Sequence, residues 1–169
     1  GLFEKGVSFE METPNFKDPD ARAAYVRAIN PFGKVPHMIA ADGSHVWESS
    51  MIIEYVDHHC SGGTSLFTDN FGDTLKARTF DRMSDLYLIE PSSAIYHEMQ
   101  KAEGTWDTGR MDRWNWLINS AMSTFNKNLE NKTWFMGETF GFADLSSAAG
   151  TYAFVRTGQG CCVAGEVSF

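Results

Sequence analysis

The sequence predicts a mixed α/β unit followed by an all-helical unit, and three observations lead to this fold class. Before residue 64, short stretches alternate apolar and polar residues with the period of a strand. After about residue 69, apolar residues recur with the period of a helix. Between them, the stretch SGGTSLFTDN has the glycine-rich, polar composition of a linker. We therefore expect two domains, at residues 1–64 and 65–169.

The first predicted elements are a strand and a helix. Gly6 can end a helical turn, and the stretch VSFEME that follows it has the alternation of a half-buried strand. Asp18 can accept hydrogen bonds from the first N–H groups of a helix in which Pro19 takes the first position. We expect this helix to continue to Ile29, just before the next Asn-Pro pair.

A hairpin and a second helix follow. The stretches VPHMIA and SHVW flank Asp42-Gly43, where the glycine supplies the positive φ that a tight hairpin turn needs. After Glu48-Ser49, the apolar residues in MIIEYVDHH have the spacing of an amphipathic helix. The first domain is thus predicted to contain a helical turn, a strand, a helix, a hairpin and a helix.

The second domain is predicted to be built from helices. Helical spacing from Leu75 to Met99 indicates one long helix with a bend at Pro91, which has no N–H to donate to Tyr87. A second helix is predicted over residues 108–129, with one apolar face.

A third helix is predicted to begin near Gly141, which we expect to be its N-cap. Phe140 and Leu145 occupy the positions of a hydrophobic staple around this residue. Asp144 falls three residues after the cap, where its carboxylate can reach back to main-chain N–H groups. We interpret this motif as structural.

The composition argues against several functions. The formal charge is −8 and the basic residues are interspersed with acidic ones, so no basic face for nucleic acid is predicted. No apolar run could span a membrane and the first residues lack a signal-peptide pattern, which predicts a cytoplasmic protein. Cys161 and Cys162 form no CxxC motif and are expected to be reduced thiols. In His58-His59-Cys60 the side chains would leave different faces of a helix, and we predict no metal site.

Two local signals suggest a binding site. A cis bond between Val35 and Pro36 would turn the main-chain N–H and C=O of Val35 towards a ligand, whereas the alternative is an ordinary trans-proline at a strand entrance. Ser49 is predicted as a helix N-cap, where the helix dipole and the neighbouring Glu48 could bind the carboxylate and the amine of an amino-acid head group. The alternative for this pair is simple helix capping.

Three stretches together resemble the cytosolic glutathione transferase superfamily, with most similarity to its omega-like and related branches. They are NPFGKVPHM, VWESSMIIEYVD and GETFGFADLS, in the order and spacing of that family. The resemblance implies a thioredoxin-like N-terminal domain, here without its first strand, and a helical C-terminal domain. The family's catalytic Tyr, Ser or Cys would precede Gly1, and its last helices are not recognisable after Gly158, so we expect a chain truncated at both ends with no catalytic residue to name.

The resemblance also implies how glutathione would bind as cosubstrate. Pro36 would be the family's cis-proline, the main chain of Val35 would pair with the cysteinyl part, and Glu48 with Ser49 would bind the γ-glutamyl part. A transferase would conjugate this thiol to a small apolar electrophile or use it as a reductant, and the implied assembly is a homodimer. The alternative is a non-catalytic adaptor with the same fold in a larger protein assembly. A thioredoxin-type redox protein is disfavoured because the chain has no CxxC motif.

Overall fold

The computed structural model describes residues 1–156, and the chain divides into a first unit at Gly1–Phe67 and a second unit that begins at Thr68. The first unit is mixed α/β and the second is helical, so the predicted fold class is confirmed. Cys161 and Cys162 lie outside the described residues, and their reduced state stays a prediction. None of the helices within residues 1–156 is long and apolar enough to cross a membrane.

The first unit contains a two-stranded antiparallel sheet and two helices. Asp18 caps the first helix by accepting from two main-chain N–H groups, and Pro19 is its first residue, as the sequence predicts. Ile52 and Val56 are the buried residues of the second helix. The elements are α1 Pro19–Ala28, β1 His37–Ile39, β2 His45–Trp47 and α2 Ser49–His59.

The predicted strand in VSFEME is wrong, because residues 7–12 belong to no strand of the structure. A strand needs a neighbour to supply hydrogen-bond partners, and the sheet within the described residues consists of β1 and β2. Phe9 and Met11 are 39% and 80% exposed, so the alternation does not bury the apolar residues. An alternating sequence indicates that a segment could form a strand, but the strand forms only where a neighbouring strand lies beside it.

Between residues 68 and 156, the second unit contains four α-helices, two of which are joined by a π-helical turn at Asp85–Ile89. The N–H of Glu90 donates to the carbonyl of Asp85, five residues earlier, and this wider turn absorbs the proline that follows. The predicted interruption of the long helix is therefore a π-helical turn that ends just before Glu90-Pro91. The helices are α3 Phe71–Ser84, α4 Glu90–Met99, α5 Thr108–Leu129 and α6 Phe142–Arg156.

Aromatic packing and a close helix contact form the core of the second unit. Phe80, Phe125 and Phe135 pack edge to face, with ring centroids 4.8 to 5.8 Å apart. Ser84 is fully buried, and its hydroxyl donates to the carbonyl of Ser146 on α6 at 2.7 Å. A Cβ at Gly150 would collide with the Ser84 hydroxyl, so α3 and α6 approach closely only because this residue is glycine.

The start of α6 has the carboxylate geometry that the sequence predicts. Asp144 accepts from the N–H of Gly141 at 2.9 Å and from the N–H of Phe135 at 2.8 Å. The ring of Phe140 packs edge to face on Trp134, with centroids 5.0 Å apart. Its staple contact with Leu145 stays a prediction. The two hydrogen bonds of Asp144 therefore attach the loop before α6 to the first turn of that helix.

Candidate functional site

The hairpin brings the two predicted binding segments to the same end of the sheet. His37 at the start of β1 is paired with Trp47 at the end of β2. Extending this antiparallel register by one residue sets Pro36 and Glu48 side by side, because the chain enters β1 and leaves β2 at the same edge. Neighbouring strands lie about 4.8 Å apart, so the two segments are within reach of one small ligand.

The loop before β1 presents an unpaired main chain. The Val35–Pro36 peptide bond is cis, as the resemblance implies. Val35 is 56% exposed, and none of the hydrogen bonds among residues 1–156 uses its main-chain N–H or C=O. A main-chain donor and acceptor that are both free at a sheet end can pair with an extended peptide.

Two residues that the sequence analysis missed hold this loop in place. Asn30 is 1% exposed, and its side chain donates to the carbonyl of Lys34 at 3.0 Å while accepting from the N–H of Phe32 at 2.9 Å. The hydroxyl of Tyr25 donates to the same Lys34 carbonyl at 2.9 Å. The Asn-Pro pair suggested only a helix end, and a buried asparagine after a helix is the signal that indicates a loop anchor.

The prediction that Ser49 is the N-cap of α2 is wrong by one position. Glu48 is the N-cap, and Ser49 is the first residue of the helix. Glu48 has φ 66° and ψ 129°, a conformation that costs a non-glycine residue about 1 to 3 kcal/mol. The Glu48 side chain makes no capping hydrogen bond, so the first N–H groups of α2 are not closed off by it. The reason for the shift is that the strained residue, rather than the serine, makes the turn from β2 into α2.

Exposure and charge at this end suit a ligand with both an amine and a carboxylate. Glu48 and Ser49 are exposed, which leaves a carboxylate and a hydroxyl open beside the positive end of an 11-residue helix. His37 follows the cis-proline, and its pKa is lowered from the ordinary value, first by burial and then by the nearby His45. A neutral His37 adds no positive charge to the region at pH 7.

Comparison with known proteins finds a family model that matches most of the first unit. Residues 1–59 match the family model described as glutathione S-transferase, N-terminal domain. The chain is 25% identical over 158 residues to glutathione S-transferase U22 of Arabidopsis thaliana and 24% identical over 143 residues to a probable glutathione S-transferase of Nicotiana tabacum. These alignments cover 94% and 85% of this chain but only 67% and 58% of the relatives, so the chain spans about three fifths of their length. The predicted omega-like branch stays a prediction.

Solved structures with the same fold include glutathione S-transferases. One from Methylobacillus flagellatus, with glutathione bound, has a TM-score of 0.83 at 23% identity and covers 94% of this chain and 76% of its own. A glutathione transferase family member from Pseudomonas fluorescens, also with bound glutathione, has a TM-score of 0.72 at 19% identity and covers 92% of this chain and 75% of its own. Because both structures are less than 25% identical to this chain, their similarity shows a shared fold.

Proposed function

Because the chain belongs to the cytosolic glutathione transferase superfamily, we propose that it binds glutathione at the end of the hairpin where Val35 and Glu48 lie. In this proposal the protein is a transferase that conjugates the thiol to a small apolar electrophile or uses it as a reductant. The single observation that carries the proposal is the register of the hairpin, which brings a free main chain and an acidic helix start to the same edge.

Glutathione has functional groups that correspond to each feature of this edge. It is an extended tripeptide of about 10 Å, long enough to reach across two strand ends about 4.8 Å apart. Its cysteinyl N–H and C=O would pair with the free C=O and N–H of Val35. Its γ-glutamyl carboxylate would accept from the Ser49 hydroxyl and the N–H groups of α2, and its ammonium would donate to Glu48.

The chemistry of the reaction belongs to the ligand. The sulfur of glutathione would form a bond to an electrophilic carbon, while the leaving group takes the electron pair of the broken bond and the thiol proton goes to solvent. The residues of this chain would position the tripeptide so that its sulfur lies beyond the hairpin edge. No described residue is assigned as the group that lowers the pKa of the thiol.

A binding experiment with paired changes in protein and ligand tests the assignment. Binding of reduced glutathione to the full chain is measured by calorimetry for the wild type, Ser49→Ala and Glu48→Gln. We expect each substitution to weaken binding about tenfold or more, since a hydrogen bond to a charged group contributes about 1.5 to 3 kcal/mol. Ser93→Ala and Glu103→Gln, both at exposed positions in the second unit, are matched controls expected to bind as the wild type does.

Binding of cysteinylglycine, which lacks the γ-glutamyl group, shows which part of glutathione Glu48 and Ser49 contact. It should bind weakly to the wild type, and neither Ser49→Ala nor Glu48→Gln should weaken it further, because the group that these residues recognise is already missing. Glutathione bound with unchanged affinity by both variants would disprove the site. A wild-type chain that does not bind glutathione at all would reject the transferase proposal in favour of the adaptor.

The remaining parts of the proposal follow from family membership alone. We propose a homodimer in the cytoplasm, with the apolar electrophile as the second substrate. Sedimentation of the purified chain measures its oligomeric state, and a monomer across the micromolar range would contradict the proposed homodimer.

A further inference from the structure

Two histidines form a close pair on one face of the hairpin. The Nε2 atom of His37 and the Nδ1 atom of His45 form a hydrogen bond of 2.9 Å, and the ring centroids are 4.9 Å apart at an angle of 33°. In the register of the sheet, His37 is paired with Trp47 and His45 with Ile39. These four side chains therefore share one face, while those of Met38 and Val46 leave the other.

We propose that His37 and His45 form a binding site for a divalent transition-metal cation with tetragonal geometry, Cu²⁺ or Ni²⁺, in which each imidazole supplies one nitrogen ligand. The proposal departs from the sequence prediction of no metal site, and it is independent of glutathione binding. Imidazole is a common ligand for these ions, and the rigid backbone pairing of the two strands holds both rings without help from a flexible loop.

The distance between the nitrogens indicates which ions fit. Two metal–nitrogen bonds of about 2.05 Å meet at about 90° when their nitrogens are 2.9 Å apart. That is the angle between neighbouring ligands in square-planar or tetragonal complexes, which Cu²⁺ and Ni²⁺ prefer. A tetrahedral ion such as Zn²⁺ needs nitrogens about 3.3 Å apart and would have to spread the hairpin. For an ion that replaces the shared proton of this hydrogen bond, the spacing therefore favours Cu²⁺ or Ni²⁺ over Zn²⁺.

The protonation and surroundings of the pair are compatible with this role. In the structure one of the two facing nitrogens donates its N–H to the other, and a bound ion would take the place of this shared proton, with the N–H of that ring on its other nitrogen. His45 is exposed, so water can fill the remaining positions around the ion. Within residues 1–156 no group of three or more His, Cys, Asp or Glu residues converges, so the protein supplies two ligands and leaves the others open.

Copper titration of the full chain tests the proposal. The affinity for Cu²⁺ is measured by calorimetry, and the number of coupled imidazole nitrogens is measured by electron spin-echo envelope modulation. We expect one site with two imidazoles in the wild type, and at least a tenfold loss of affinity in His37→Gln and in His45→Gln. His97→Gln, on a different unit, should bind as the wild type does. Zn²⁺ should bind at least tenfold more weakly than Cu²⁺.

A second measurement needs no variant and keeps the proposal testable if a substitution disturbs the hairpin. In the NMR spectrum of the wild type, substoichiometric Cu²⁺ should broaden the ring protons of His37 and His45 before those of His58, His59 and His97. A two-imidazole signal that survives in the His37→Gln/His45→Gln double variant would overturn the assignment. Broadening that begins at His58 or His59 would do the same.

Discussion

Lys5 and Asp57 form a buried ion pair whose loss should strongly destabilise the first unit. The Nζ atom of Lys5 lies 3.0 Å from Oδ1 of Asp57, and the two side chains are 4% and 9% exposed. The same carboxylate accepts from the main-chain N–H groups of Leu66 and Phe67, at 2.9 and 3.2 Å. One carboxylate thus joins the first turn of the chain to α2 and to the segment that follows α2.

The structure sets the size of the expected effect. Lys5→Met and Asp57→Ala should each cost about 3 to 5 kcal/mol, because each leaves a buried charge without its partner. Asp57→Ala should be the more costly, since it also leaves two N–H groups without an acceptor, at about 1 to 3 kcal/mol each if they stay buried. In the double variant Lys5→Met/Asp57→Ala no charge is left unpaired, so its cost should fall short of the sum of the single costs by about 3 kcal/mol.

Hydrogen exchange measures this effect in the right part of the molecule. Native-state exchange of the α2 amides reports the opening free energy of the first unit separately from that of the second. Arg82→Met is the exposed counterpart in the second unit, because Arg82 lies 3.4 Å from Asp85 with side chains that are 62% and 42% exposed. Measured on the amides of α3, it should cost under about 1 kcal/mol. If Lys5→Met cost no more than Arg82→Met, or if the costs of the Lys5 and Asp57 substitutions added, the reasoning from burial would be wrong.

Two further predictions concern the second unit. Gly150→Ala should destabilise the protein by about 2 kcal/mol in urea unfolding, because its Cβ would meet the buried Ser84 hydroxyl. The control is Gly109→Ala, whose Cβ would have no neighbour nearer than 3.7 Å and which should be neutral or stabilising by up to about 1 kcal/mol. If Gly109→Ala lowered the free energy of unfolding as much as Gly150→Ala, the cost would not come from the contact with Ser84. Asp144→Ala should cost about 3 kcal/mol in the same assay, since it removes the acceptor of two main-chain N–H groups. The exposed Asp112→Ala should change stability by less than about 0.5 kcal/mol, and similar costs for the two aspartates would contradict the capping argument.

Part of the candidate site could be read from the sequence because its signals are local. Glycine, proline and the hairpin pattern determine where β1 and β2 start and stop, and the polar pair at the start of α2 follows directly in the chain. The finer geometry could not be read in this way. Glu48 rather than Ser49 makes the turn into α2, and Asn30 with Tyr25 anchors the loop before Val35, because both features depend on where the chain returns in space.

By itself, the sequence determined the two kinds of unit, the helix capped by Asp18 and the carboxylate that starts α6, since each depends on residues within a few positions of one another. Tertiary structure alone decided that VSFEME forms no strand, that Gly150 permits close packing of two helices, and that His37 meets His45. A periodic pattern states what a segment can bury or bond. Whether the segment is in fact buried or hydrogen-bonded depends on residues distant in the chain, and a local pattern does not specify where those residues lie.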